Sequence, residues 1–186
     1  MSKSIVVSGP PAIGKTTVAK GLAKEFNLNH ISGGDILKEF ANEKGFSSSG
    51  DDWWDTEDGM RFLNQRKENP EFDKKVDEKL IRLFEKGDVV ITSYTLPWLT
   101  DDGIKLWLDG SAKNSAKRMQ NRDSMDEFSA LEVVNKRFNE NKLIYKNLYN
   151  FEFGDDLSVF DKIIETDEKN AEQVLEIAKS TVRELL

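Results

Sequence analysis

Cysteine is absent from the 186 residues, and histidine occurs once. The first absence excludes disulfides and thiolate metal sites and suits a reducing compartment. The second leaves His30 without the orienting partner that general-base chemistry needs, so a structural role is expected for it. Positive charge is also short: 27 lysines and arginines stand against 34 aspartates and glutamates, a net charge of -7. A broad basic face for nucleic acid or an anionic membrane is therefore not expected, and any anion site must be local. No apolar run reaches the ~20 residues of a membrane-spanning helix, and no signal-peptide pattern precedes the first apolar segment, so the expected setting is the cytoplasm. Internal repeats and low-complexity linkers are lacking too. At 38% hydrophobic residues the chain suits one domain, 1–186, with a full core.

What is present is organised around Gly9-Pro10-Pro11-Ala12-Ile13-Gly14-Lys15-Thr16. Before it, Ile5, Val6 and Val7 suit a strand buried on both faces; after it, Thr17, Val18, Leu22, Ala23 and Phe26 keep helical spacing. Gly, four residues, then Gly-Lys-Thr between a strand and a helix is the Walker A pattern, and the competing reading is a glycine turn that merely spells it. Gly9 and Gly14 permit backbone angles and close approaches that a Cβ would obstruct, so successive N–H groups can cradle a polyphosphate. Lys15 brings a point charge to the β/γ-phosphates, Thr16 offers a hydroxyl to Mg²⁺, and the helix N-terminus adds partial positive charge. ATP and Mg²⁺ are the cofactors this loop calls for.

Further along, 30–32 reads as a short strand broken by Gly33-Gly34. Asp35 is expected to cap the helix that follows, which carries Ile36, Leu37, Phe40 and Ala41, and to face the loop mouth. Residues 45–58 read as loop through Ser47, Ser48, Ser49 and Gly50, then reach Trp53 and Trp54, which either anchor the segment or close over a ligand. Arg61 and Arg66 follow on different faces of one helix. Pro70 opens another, with an apolar stripe of Phe72, Val76, Leu80, Ile81 and Phe84 that stops at Gly87. Strands are expected over 88–92 and 104–108, with Leu96-Pro97-Trp98-Leu99 as a loop between them. Ser111 caps a helix bearing Arg118 and Arg122 one turn apart, and a long charged helix over 126–149 carries Arg137. A fifth strand over 162–166 and a final amphipathic helix complete the alternation. It predicts an open parallel sheet with helices on both faces and ligands at the C-terminal strand ends, flanked by insertions at about 35–87 and about 118–150.

The chain resembles the archaeal-type cytidylate kinases, within the nucleoside monophosphate kinase fold, over nearly its whole length. The resemblance rests on the 9–16 loop, His30-Ile31-Ser32-Gly33-Gly34-Asp35-Ile36, Asn69-Pro70-Glu71-Phe72-Asp73, Trp107-Leu108-Asp109, the Arg118/Arg122 pair and Asp156-Leu157-Ser158-Val159-Phe160-Asp161. It implies an α/β, three-layer P-loop NTPase fold with a five-stranded parallel sheet, an acceptor-binding insertion and a lid. By the same resemblance Gly9 through Thr17 and Arg118 bind ATP, Lys15 and Thr16 serving ATP·Mg²⁺ and Arg118 lying along the adenine side. Arg122 and Arg137 close over the transferring phosphoryl group and the loop after Thr166 lines the base; Lys15 belongs to the catalytic set, and Asp35, from its place beside the loop mouth, is the further candidate to orient the acceptor hydroxyl or a Mg²⁺-bound water.

The departures from that family lie on the acceptor side. Its Glu-Gly-Arg after the third strand is Thr92, Ser93 and Tyr94 here, its lid arginine before a tyrosine is Ile144 before Tyr145, and its arginine after the Gly-Asp pair is Lys38. A phenol or an aliphatic chain cannot replace a bidentate guanidinium fork. The asymmetry leads to a kinase acting on a small anionic alcohol, with Asp35, Lys38, Arg61, Arg66, Tyr94 and Trp98 as acceptor-binding candidates. The mevalonate-3-phosphate 5-kinases of archaeal isoprenoid metabolism are a branch of that type that the chain is also similar to. A cytidylate kinase acting on CMP or dCMP is the alternative, and a nucleotide-dependent regulatory switch the alternative of another class. Expected partners are ATP and a small phosphorylated acceptor, and the chain is expected as a monomer or a homodimer.

Overall fold

The computed structural model describes residues 4–46, 53–123 and 125–186, the side chains of Asp55, Arg122 and Asp123 lying outside that description. The Ser47, Ser48, Ser49 and Gly50 loop therefore lies outside the described residues. Five parallel strands form the sheet: β1 (Ser4–Ser8), β2 (Asn29–Ser32), β3 (Val89–Thr92), β4 (Ile104–Asp109) and β5 (Lys162–Glu165), in the order β2-β3-β1-β4-β5. The phosphate loop thus leaves the middle strand, whose register sets Val6 beside both Ile91 and Lys105.

Helices cover both faces because the strand residues are apolar on both. Ile5, Val7, Leu106 and Leu108 point to α1 (Lys15–Phe26) and α8 (Ala171–Leu185), where they meet Leu22, Val174 and Val182. Val6, Val89 and Ile91 point to α2 (Gly33–Glu43) and α4 (Glu71–Lys86), packing on Ile36, Leu80 and Phe84. Each such side chain contributes about 1.5–3 kcal/mol on burial. α3 (Glu57–Glu68) follows a 3-10 turn at Trp53–Asp55 and, with α2 and α4, fills the stretch between β2 and β3. Between β4 and β5 lie α6 (Ala112–Asp123) and α7 (Glu127–Tyr149), packed on each other through Ala116, Met119, Ala130 and Val134. A third cluster, rich in aromatic rings, joins Trp98, Trp107, Phe151, Phe153 and Phe160 beneath α7.

Two local expectations are corrected and one alternative is resolved. Leu96–Leu99 is a one-turn helix, α5, because Ser93 Oγ accepts from the N–H groups of Thr95 and Leu96 and starts the turn. Asp35 is not the cap of α2: the helix begins at Gly33, and Ser32 Oγ caps it by accepting from Asp35 N. Of the two tryptophans, Trp53 anchors its segment, buried against Phe62, and Trp54 is half-buried at the edge of the cleft described next.

Candidate active site

The 9–16 loop is shaped by two glycines in the left-handed half of backbone space. Gly9 has φ +145, and a Cβ there would sit 2.4 Å from the Leu108 carbonyl oxygen of β4; Gly14, φ +102, precedes the first turn of α1. Ile13 is buried and pins the loop to the core shared with α1 and α8. Lys15 folds back over the loop, its ammonium donating to the carbonyls of Gly9 (3.0 Å) and Pro10 (2.5 Å) and lying 4.7 Å from the Tyr94 ring centroid. Burial, and after it the Arg137 guanidinium, pushes this ammonium well below the usual lysine value. A second cation in the neighbourhood, with no carboxylate among the described residues neutralising Lys15, marks a place that favours added negative charge.

Arg118, on α6, reaches back to the same loop. Its guanidinium donates to the Ile13 carbonyl and, at 3.3 Å, to the Thr166 carbonyl after β5. This ties the loop, α6 and the 166–167 turn together, and Asp167 in turn accepts from Ser111 N at the start of α6. Thr16 and Thr17 are exposed at the mouth of the loop. Among the described residues no group of three or more carboxylate or histidine side chains could hold a metal ion. The exposed Thr16 hydroxyl is the residue here that could hold Mg²⁺ beside a bound triphosphate, which would suit that ion's preference for few protein ligands.

A cleft of about 580 Å³ runs from this loop to the helices between β2 and β3. That volume lies within the usual range of small-molecule sites. Its far wall carries Asp35, Lys38, Trp54, Arg66, Asp73, Asp77 and Tyr94, and α7 contributes Arg137, Asn141 and Tyr145. Lys38 lies 3.7 Å from Asp35. His30 also borders the cleft; its Nε2 is buried without a partner and burial lowers its pKa, which keeps the ring neutral.

The polar groups of the far wall are bound to one another. Arg66 makes a forked pair with Asp73, Nε to Oδ2 at 3.0 Å and Nη2 to Oδ1, and Nη2 also donates to the Tyr145 hydroxyl at 3.2 Å. Burial opposes the charge on Arg66, but the Asp73 carboxylate and Tyr145 together outweigh it and raise the pKa. Tyr145 donates to Asn141 Oδ1 at 3.1 Å. Asp77 accepts from the Thr95 hydroxyl and, at 2.6 Å, from the Tyr149 hydroxyl, while burial pushes its carboxyl up to about 6.

Of the residues expected on sequence grounds, the cleft brings together Ala12, Ile13, Gly14, Lys15, Thr16, Thr17, Asp35, Lys38, Arg66, Tyr94, Arg118 and Arg137. Two lie elsewhere. Arg61 points into solvent and pairs with Asp58 on its own helix, because it sits on the face of α3 opposite Arg66. Trp98 belongs to the aromatic core, stacked on Phe151 with centroids 4.4 Å apart, because the turn of α5 carries it under α7. The Arg122 side chain lies outside the described residues. Asp73, Asp77, Thr95, Asn141 and Tyr149 were not anticipated, although Asp73 and Asp77 interrupt the apolar stripe of α4 at helical spacing. Acidic residues on a buried stripe are the signal that marks them.

Comparison with known proteins bears on the family and the fold. A family model described as an AAA domain matches residues 8–117. A cytidylate kinase of Methanocaldococcus jannaschii is 31% identical over 186 residues, covering 97% of this chain and 98% of the relative; one of Sulfurisphaera tokodaii is 32% identical, with 98% and 96% covered. Among solved structures, a shikimate kinase from Bacteroides thetaiotaomicron superposes with a TM-score of 0.59 at 15% identity, covering 98% of this chain and 99% of that one. A gluconokinase from Sinorhizobium meliloti gives 0.54 at 18%, with 99% and 93% covered. At those identities the structures speak for the fold alone. The expected affinity to mevalonate-3-phosphate 5-kinases finds no support in these relatives. The chain is an ATP-dependent small-molecule kinase, using ATP with Mg²⁺. With the phosphate loop on the middle strand and 31–32% identity to these enzymes over nearly its whole length, the chain belongs to the cytidylate kinase-like family of P-loop kinases.

Proposed function

We propose that the chain transfers the γ-phosphoryl group of ATP to cytidylate or deoxycytidylate bound against α2, α3 and α4. One observation carries this reading: a single cleft has the phosphate loop on one wall and a different polar set on the other, Asp35 and Lys38 beside the mutually bonded Arg66–Asp73 and Asp77–Thr95 pairs, so two substrates can face each other. Relatives named cytidylate kinase, matched from end to end, support this acceptor. Phosphoryl transfer needs alignment and charge neutralisation more than covalent help. Lys15 exchanges the Gly9 and Pro10 carbonyls for phosphate oxygens, the loop N–H groups hold the β-phosphate side, and Arg137 faces Lys15 across the group in transit. Mg²⁺ on Thr16 supplies further neutralisation of the triphosphate. Lys38 takes the acceptor's phosphate, and Asp35 orients the receiving oxygen or a metal-bound water. The α6–α7 hairpin acts as a lid that excludes water while α2–α4 form the acceptor side.

A second reading, a small phosphorylated alcohol such as mevalonate 3-phosphate as acceptor, is favoured by Tyr94. It stands where the family resemblance leads one to expect an arginine, with its ring beside Lys15, while Arg66 is committed to Asp73. Phosphorylation of CMP, dCMP and mevalonate 3-phosphate at matched concentrations separates the two. Turnover of CMP or dCMP well above the third compound is the expected result, and turnover of mevalonate 3-phosphate alone overturns it.

A further inference from the structure

Residues 137, 141, 145 and 149 follow one another at four-residue spacing along α7, the first three bordering the cleft. Such i, i+4 residues form a continuous ridge. Each step of this ridge is tied down. Tyr149 donates to Asp77 at 2.6 Å, Tyr145 accepts from Arg66 at 3.2 Å and donates to Asn141, and Asn141 Nδ2 donates to the Arg137 carbonyl at 2.7 Å. The anchors, Asp77 on α4 and Arg66 on α3, are themselves buried and held, by Thr95 and by the Asp73 fork. Tyr94 closes the pattern, its ring 6.3 Å from that of Tyr145 and beside the Lys15 ammonium.

We propose that Tyr145 and Tyr149 are positioning residues for Arg137: by bonding the stem of α7 to Arg66 and Asp77, they set the rotation and axial register of that helix and so fix where the guanidinium of Arg137 stands opposite Lys15. Neither tyrosine need touch the reacting atoms. The acceptor wall and the cation over the transferring group become one mechanical unit, and displacement of α3 and α4 by an acceptor moves Arg137 with them. The inference rests on the proposed role of Arg137, and its test keeps the two apart.

The experiment is a double-mutant cycle on the full chain with ATP·Mg²⁺ and CMP. It combines Tyr145→Phe/Tyr149→Phe with Arg137→Ala, and urea denaturation shows which proteins are folded. The paired phenylalanine variant is expected to lose roughly 10- to 100-fold in kcat, the scale of a misplacement of about 1 Å, while both KM values stay within about threefold. In the Arg137→Ala background the same pair is expected to cost almost nothing further. If Arg137→Ala is crippled but the tyrosine pair costs the same in both backgrounds, the positioning role is overturned. A rise confined to the KM for CMP overturns it as well, since the hydroxyls would then be acceptor ligands. Native kcat in Arg137→Ala overturns the role of Arg137 itself and the inference built on it.

Discussion

Removing Arg66 alone should damage the protein more than removing Arg66 and Asp73 together. The two side chains are 4% and 5% exposed, so Arg66→Ala strands the Asp73 carboxylate in the protein interior without its fork. Breaking a buried pair from one side costs about 3–5 kcal/mol, whereas replacing both members with apolar side chains of similar volume is often neutral or better. For a chain of this size the single loss corresponds to a fall in Tm of roughly 6–20 °C. In Arg66→Met/Asp73→Leu the remaining debit is the hydrogen bond to Tyr145. That hydroxyl still donates to Asn141, so only about 0.5–1.5 kcal/mol is at stake. Urea denaturation of the three proteins at pH 7, with the slope checked for constancy, reads the difference directly. The reasoning is refuted if Arg66→Ala stays within about 1 kcal/mol of the native chain, or if the double variant is as unstable as the single one.

Lys15→Ala should cut turnover by at least about 10²-fold with an unchanged denaturation midpoint, because its partners are loop carbonyls and not the core; steady-state kinetics beside a denaturation curve checks both halves. Gly9→Ala should weaken ATP binding, measured by calorimetry, by on the order of 10-fold or more, since the added methyl meets the Leu108 carbonyl at a positive φ. Asp77 makes a pH-dependent contribution of definite sign. Its folded pKa is raised by burial from 3.8 to about 6, so the stability it contributes is fully present below about 3.8 and lost as pH rises through about 6, up to on the order of 3 kcal/mol. The stability of the native chain minus that of Asp77→Asn should therefore be larger at pH 4 than at pH 7, and a difference that grows with pH would show the sign to be wrong.

The phosphate loop was legible because its chemistry is local: eight consecutive residues carry the glycines, the lysine and the threonine, and strand and helix flank them in sequence. The parallel sheet was legible for the same reason, through apolar runs such as Ile5-Val6-Val7 that serve both faces. What escaped was long-range. Tyr149 meets Asp77 across 72 positions and Arg66 meets Tyr145 across 79, and no periodicity along either segment records such a pairing. Arg61 and Arg66 looked equivalent as cations on one helix. Only packing against α4 and α7 separates a solvated arginine from one held inside. Trp98 was misplaced because the single turn of α5, set by one serine hydroxyl, is too short to leave a periodic trace.

The strand that carries the phosphate loop is walled in by β3 on one side and β4 on the other, with helices above and below. Its amides are thus among the last to meet solvent when the protein breathes, and the β2 margin of the sheet can fray without disturbing it. Nucleotide capture should therefore outlast fraying that stays at the β2 margin, and ATP binding retained in a damaged variant is a sign that the centre of the molecule is intact.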